Sequence, residues 1–493
     1  MGTGPSKREL QHFLKRFGLD KDSVSSPATT LSQSMIDIQR NAYNNSLTKR
    51  QTPQEYVDAL LTPSYNQLAL TKIEGPFDKL EWQNVGKTLY KLQKLGLTSI
   101  VISDNPHWKA DKSTPNELSK RMLRETMALV EAIERSGGRA RLIYGSALER
   151  WNNTIDVNLD FILSALNNNQ IPVIVPILTE EDGLLKPISA NSAVTALSQR
   201  LASQAVDPKL IPSKIVVINQ EGGVPNHEIP GTTHSLVNVQ EEFADIQSAF
   251  HKHVHWKENY PNTMADLSMI RDCLEHLPVT SSAIIAPTSS LPTALITNLV
   301  TDKPLYSSSL PISHHSRINQ TKTTVLRHGI KINNHYDFKE LDLKRLTGLL
   351  ERSFQKKVNE EAFYERLKKV LAGAIVAGNY EGAVIMTREK AAGAATIGMG
   401  ANYHAYLDKF AIAPSSQGIG LTDILWKKMC DQYPDLLWRS RHDNGVNKWY
   451  FERSSGNLRL KGTNWVLFWY GPKGYKNIEE YASIASSIPP SFY

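Results

Sequence analysis

The chain has only two cysteines in 493 residues, Cys273 and Cys430. So few thiols, so far apart, make neither a disulfide framework nor a zinc site; they fit a reducing compartment in which a buried thiol packs as a small apolar side chain. No run of about 18 apolar residues occurs, so no segment reads as a membrane-crossing helix and no membrane partner is expected. A basic stripe with interleaved aromatics is missing as well. The net charge of +7 is spread along the chain, which favours anionic small molecules and gives no reason to expect nucleic acid. Gly86-Lys87-Thr88 copies the end of a phosphate-binding loop, but Glu81 stands where that loop needs its first glycine, so the motif is discarded. No metal is expected.

What the chain does have is 41% apolar content over this length, enough for two or three domains with their own cores. Residues 6–17 suit a short helix of mixed charge, and Glu9, Asp20 and Asp22 argue against a transit peptide here, since such peptides are poor in acids. Residues 23–54 are rich in Ser, Thr, Asn and Gln and read as a mobile arm, giving a first segment over 1–54. Between 55 and 330, apolar runs at 99–103, 140–144, 172–178, 214–219 and 282–286 alternate with amphipathic stretches at 84–95, 119–136 and 158–167. That alternation predicts an α/β unit with a largely parallel sheet, whose ligands bind at the carboxyl ends of the strands. Residues 313–337 read as a polar connection containing the turn-prone Asn333-Asn334, and a second domain is expected over 331–493.

That second domain is organised around AYLDKFAIAPSSQGIGLTDILWKKM, residues 405–429. Tyr406, Leu407, Phe410 and Ile412 predict a strand closed by Pro414, and Leu421, Ile424, Leu425, Lys428 and Met429 predict a helix stopped by Pro434. Gln417, Gly418, Ile419 and Gly420 form a glycine-bearing turn between them, where free N–H groups and the positive end of a helix dipole suit a pyrophosphate. A helix over 342–357, carrying Lys356 and Lys357 at its end, precedes a hairpin of 374–376 and 383–387. A strand over 436–441 follows the central helix, and its Arg439 and Arg441 fall on one face because strand side chains alternate. WVLFWY is the last strand.

These motifs carry two resemblances. The runs over about 80–310, in particular 298–311, resemble the amino-acid kinase fold of acetylglutamate kinases and acetylglutamate synthases. The first strand is expected at 99–103; it leads into SDNPHWK, without the lysine and glycine pair with which such kinases hold a phosphoryl group, so a regulatory, non-catalytic relative is expected. The turn Gln417 to Gly420, with Thr422 at the last position of the pattern, resembles the acetyl-CoA motif of GNAT acetyltransferases. Together with LDKF, WRSR, NGVNKWYFERSSG and the WVLFW strand it resembles N-acetylglutamate synthases of the fungal and animal type. The resemblance implies an amino-acid kinase-like parallel-sheet domain followed by a GNAT domain, and transfer of acetyl from acetyl-CoA to L-glutamate in the mitochondrial matrix. It further implies arginine as inhibitor, acetylglutamate kinase as partner, and a homo-oligomer.

By the same resemblance, Lys356, Tyr406, Lys409, Arg439, Arg441 and Asn444 match positions that hold glutamate, while Asn447 and Tyr450 lie beside the thioester as catalytic positions. Phe410, Ala411, Ile412, Gln417, Gly418, Ile419 and Gly420 match the coenzyme-binding stretch. The chemistry agrees: an acceptor with two carboxylates needs fixed cations, arginine forks above all. Two other readings stay open, an acetylglutamate kinase and a non-enzymatic, arginine-sensing partner of that kinase.

Overall fold

A computed structural model describes residues 67–203, 207–304, 309, 322–391, 403–416 and 420–492. The helix expected over 6–17 and the arm over 23–54 lie outside them. The chain divides into two compact units, the first ending near residue 305 and reclaiming a strand at Thr324–Arg327, the second made of 306–318 and 329–493. No helix among the described residues is long and apolar enough to cross a membrane.

In the first unit the order is β1 (Gln67–Glu74), α1 (Lys79–Lys94), β2 (Leu97–Asp104), α2 (Pro115–Arg135), β3 (Ala140–Ile143), β4 (Leu148–Trp151), β5 (Thr154–Val157), α3 (Asp160–Asn167), β6 (Ile171–Ile174), β7 (Ile177–Thr179), β8 (Leu185–Pro187) and α4 (Ala190–Ala202). Then come β9 (Pro212–Asn219), β10 (Leu236–Asn238), α5 (Val239–Lys252), α6 (Thr263–His276), β11 (Ser282–Pro287), α7 (Thr293–Thr301) and β12 (Thr324–Arg327). Eight strands form one sheet in the order β10-β12-β11-β9-β1-β2-β6-β3, parallel except where β12 runs against β11. The expected α/β architecture with a largely parallel sheet is the architecture present.

Two expectations need correction. The first strand is β1; the run at 99–103 belongs to β2. Lys72 interrupts the apolar run of β1 and hides it from a hydrophobicity reading, yet its side chain is wholly buried. Asp266 at 2.6 Å and Asp104 at 2.9 Å counter its charge there, and Glu74 lies at 3.5 Å. A lysine therefore does stand on the first strand, but β1 runs into Gly75-Pro76, one glycine followed by a residue with no N–H to give. Second, the stretch 313–337 is not all connection. It holds β12 and a further strand, β13 (Ile332–His335), in which Asn333 and Asn334 pair with Val376 and Ile375 instead of turning. The discarded Gly86-Lys87-Thr88 lies inside α1, where a Cβ on Gly86 would meet the Ala132 carbonyl oxygen at 2.2 Å; this glycine lets α1 and α2 pack closely.

The second unit continues with α8 (Leu343–Phe354), α9 (Glu360–Val370), β14 (Leu371–Ala377), β15 (Gly382–Glu389), β16 (His404–Ile412), α10 (Leu421–Gln432), β17 (Leu436–Arg441), α11 (Asn447–Arg453), β18 (Gly456–Arg459), β19 (Trp465–Tyr470) and α12 (Ile478–Ser487). Its sheet runs β13-β14-β15-β16-β17-β19-β18 and is antiparallel except between β16 and β17. The hairpin, the central strand and helix, and β17 and β19 appear where the sequence puts them. α8 buries Leu346, Leu349 and Leu350 but stops at Phe354, because Gln355 takes a left-handed conformation (φ 55°). Lys356 and Lys357 therefore lie past the helix end, contrary to the expectation that the helix carries them.

Candidate active site

Between β16 and β17 the ladder holds only two residue pairs, Ala405 with Leu436 and Tyr406 with Leu437. Beyond them the two parallel strands part, leaving a gap through the middle of the sheet. Parallel strands joined by a helix diverge readily when nothing locks their far ends, and here α10 enters from a left-handed turn at Gly420 (φ 81°) that leaves its first-turn N–H groups without a side-chain cap among the described residues. An uncapped helix start beside such a gap suits an anionic group. Gln417, Gly418 and Ile419 lie outside the described residues. Asp423, in the first turn of α10, bonds Ser309 Oγ at 2.5 Å and faces Arg453 at 3.6 Å, so its charge is countered.

The residues singled out in the sequence sort onto two faces of this gap. On the α10 and α11 face, Leu407, Phe410 and Ile412 pack with Leu421, Leu425, Trp426 and Trp438, and Tyr450 packs against the same cluster. Ile412 donates its N–H to Ser353 Oγ at 3.2 Å, so it is committed. Strand alternation turns the N–H of Phe410 to the same side, away from β15 and toward the gap. Tyr450 sits 5.5 Å from the Trp438 ring centroid, and burial pushes its phenol up to about 12, so it stays protonated at neutral pH. Asn447 donates through Nδ2 to the carbonyls of Arg441 (2.7 Å) and His442 (3.1 Å), while its buried Oδ1 has no hydrogen-bond partner among the described residues.

The other face carries the cations. A bulge makes this possible: Ile385 pairs with Lys409 and Met386 with Leu407, so Asp408 is an extra residue in β16. Without it, Tyr406 and Lys409 would point to opposite sides; with it, Tyr406 packs with Leu437, Trp469 and Tyr481, and Lys409 stands 4.8 Å from the Phe363 ring. Burial opposes charge on Asp408, but Lys409 and Arg366 beside it outweigh that and hold its carboxyl below the usual range. Arg366 also pairs with Glu389. Arg439 and Arg441 share a face, as alternation requires, 4.1 and 5.9 Å from the Trp465 ring centroid. Arg441 is exposed, and its guanidinium makes no ion pair among the described residues. Arg439 instead donates to the carbonyls of Ala485, Ile488 and Pro489. Asn444 bonds Ser440 Oγ at 2.8 Å, and Lys356 is exposed beyond α8.

Sequence reasoning missed Arg366, Asp408, Trp465 and Ser491, which position these cations. The pair Asp408-Lys409 was visible, but a bulge leaves no mark in an alternation pattern.

A parted pair of central strands, a helix start beside the gap and a half-buried, protonated phenol packed near it suit an acyltransferase. Comparison with known proteins makes it specific. Residues 333–488 match the family model described as NAT, N-acetyltransferase, of N-acetylglutamate synthase. The chain is 32% identical to the mitochondrial amino-acid acetyltransferase of Laccaria bicolor, over 97% of this chain and 92% of that one. It is 31% identical to the mitochondrial amino-acid acetyltransferase of Coprinopsis cinerea, over 99% and 87%. Among solved structures, N-acetylglutamate synthase from Neisseria gonorrhoeae, complexed with coenzyme A and N-acetyl-glutamate, aligns over 85% of this chain and 99% of that one, with 12% identity and a TM-score of 0.49. The chain belongs to the amino-acid acetyltransferase family.

Proposed function

We propose that the chain transfers the acetyl group of acetyl-CoA to the α-amino group of L-glutamate, giving N-acetyl-L-glutamate and CoA as the first step of arginine biosynthesis, in the mitochondrial matrix. The observation that carries this reading is the gap between β16 and β17, with Arg439, Arg441 and Lys409 on one face of the sheet and Phe410, Asn447 and Tyr450 on the other. A dicarboxylate on the cationic face presents its amine through the gap to an acyl group on the other.

Acetyl-CoA supplies a thioester carbonyl as electrophile. The start of α10 and Gly420 receive its diphosphate, and the backbone N–H of Phe410 is the donor for the oxyanion. Arg441 and its neighbours bind the carboxylates of glutamate and hold its amine in line, so that the proton the ammonium must lose goes to water. As the C–S bond breaks, Tyr450 gives its phenolic proton to the departing sulfur and is reprotonated from solvent. Asn447 Oδ1, buried without a donor among the described residues, is available to an N–H of the acyl donor's arm.

The first unit is assigned to control: arginine inhibits through it, and it docks acetylglutamate kinase and further copies of the chain. Selectivity among amino acids tests the catalytic half. Replacing one carboxylate by an amide leaves a cation unpaired, so kcat/KM for L-glutamate should exceed that for L-glutamine by about 100-fold or more. Equal use of the two would remove the dicarboxylate site.

A further inference from the structure

Lys409 has three N–H groups, and all three are spent. They go to the Asp408 carbonyl at 3.2 Å, to Asp408 Oδ1, and to Ser491 Oγ at 3.0 Å. With that arrangement standing, Lys409 has nothing left for an acceptor carboxylate. Ser491 is in the opposite condition. Its oxygen accepts from the ammonium, its own O–H has no acceptor among the described residues, and the residue is only half-buried. A hydroxyl whose lone pair is held by a cation is polarised toward donation.

The chain end is seated firmly enough to make this a built feature. Asn359 donates its N–H to the Ser491 carbonyl at 3.1 Å, Val358 pairs with Phe492 as an isolated bridge, and the Phe492 ring stands 4.8 Å from that of Phe354. The carbonyls of Ala485 and Ile488 hold Arg439 on the same face.

We propose that Ser491 is an acceptor-binding residue: its hydroxyl donates to a carboxylate of the amino-acid substrate, and Lys409 acts through it as a positioning residue. This rests on the acceptor reading given above and refines it, since the charge of Lys409 reaches the substrate through one oxygen.

The test is steady-state kinetics of the full chain with both substrates varied. Ser491→Ala should raise KM for L-glutamate about 10-fold or more, the effect of losing one hydrogen bond to a charged group. KM for acetyl-CoA should stay within about twofold, the thermal midpoint should be unmoved, and Ser491→Thr, which keeps the hydroxyl, should restore most of the loss. An unchanged glutamate KM in Ser491→Ala, a parallel rise of both KM values, or a Ser491→Thr as impaired as the alanine overturns the assignment. Arg441→Ala separates the two layers. If it raises the glutamate KM while Ser491→Ala does not, Ser491 alone is excluded; if neither variant moves it, the acceptor reading falls and takes this assignment with it.

Discussion

Tyr406 and Leu437 form the last ladder pair between β16 and β17, and everything proposed for the catalytic unit depends on the parting of the strands beyond them. The parting separates two sets of residues that mutagenesis can address one at a time.

On the coenzyme side, Gly420 is the residue to change. Its φ of 81° is strained for any other residue, at a cost of roughly 1 kcal/mol, and Gly420→Asp adds a negative charge at the uncapped start of α10. Initial rates should give a KM for acetyl-CoA raised far more than that for glutamate. Equal changes in both would detach the diphosphate from this helix.

On the acceptor side, Arg441→Ala should raise KM for glutamate by about 30-fold or more while leaving acetyl-CoA nearly untouched, as expected when one partner of a pair desolvated on binding is removed. Arg441→Lys should recover little, because a point charge does not reproduce the guanidinium fork. An effect below about threefold would return Arg441 to the solvated surface.

Tyr450→Phe should lower kcat by about 100-fold with both KM values little changed, the usual weight of one general acid. Burial raises the phenol to about 12, so the protonated, donating form persists through the alkaline range. In the wild type, no loss of kcat attributable to a tyrosine should appear near pH 10. A descending limb centred there and absent from the phenylalanine variant would mean a solvated phenol.

The first unit makes a prediction about pH. Burial pushes Glu74 up to about 8 and Glu221 up to about 7, with Asp266 adding to both. A carboxyl with a raised native pKa binds more protons folded than unfolded. Its stabilising protonation is complete below the ordinary value of 4.5 and lost as pH rises through the native value. Between about pH 5 and 8 the unfolding midpoint of this unit should therefore fall, and Glu74→Gln should flatten the slope. A midpoint rising across that window would contradict the buried cluster around Lys72.

Arginine should inhibit the full chain but not a fragment beginning at Gly329, because an effector acts only through a site that distinguishes two states. The fragment must keep β13, which pairs with β14 at the sheet edge. Inhibition of both at the same concentration would mean simple competition for the acceptor site.

How much of this is legible in the sequence is uneven, for physical reasons. The strand and helix around residues 405–429 declared themselves because aromatic and β-branched positions, a glycine and a stop at Pro434 agree with one another. β1 did not, because a charged residue buried among three carboxylates looks like surface in any hydropathy reading. The cationic face was recognisable by residue type, yet its arrangement rests on a bulge at Asp408 that no periodicity reports. The hold of residues 485–491 on Arg439 and Lys409 was also hidden, since it is made largely by backbone carbonyls and one serine.

The central claim is the reaction itself, and one incubation decides it. The chain is mixed with acetyl-CoA and L-glutamate, and in parallel with ATP and N-acetyl-L-glutamate, while free thiol, ADP and products are followed by absorbance and mass spectrometry. The account predicts thiol release that depends on glutamate and matches N-acetyl-L-glutamate mole for mole, with no ADP formed. Thiol release indifferent to glutamate, or ADP with a phosphorylated N-acetyl-L-glutamate, would contradict it.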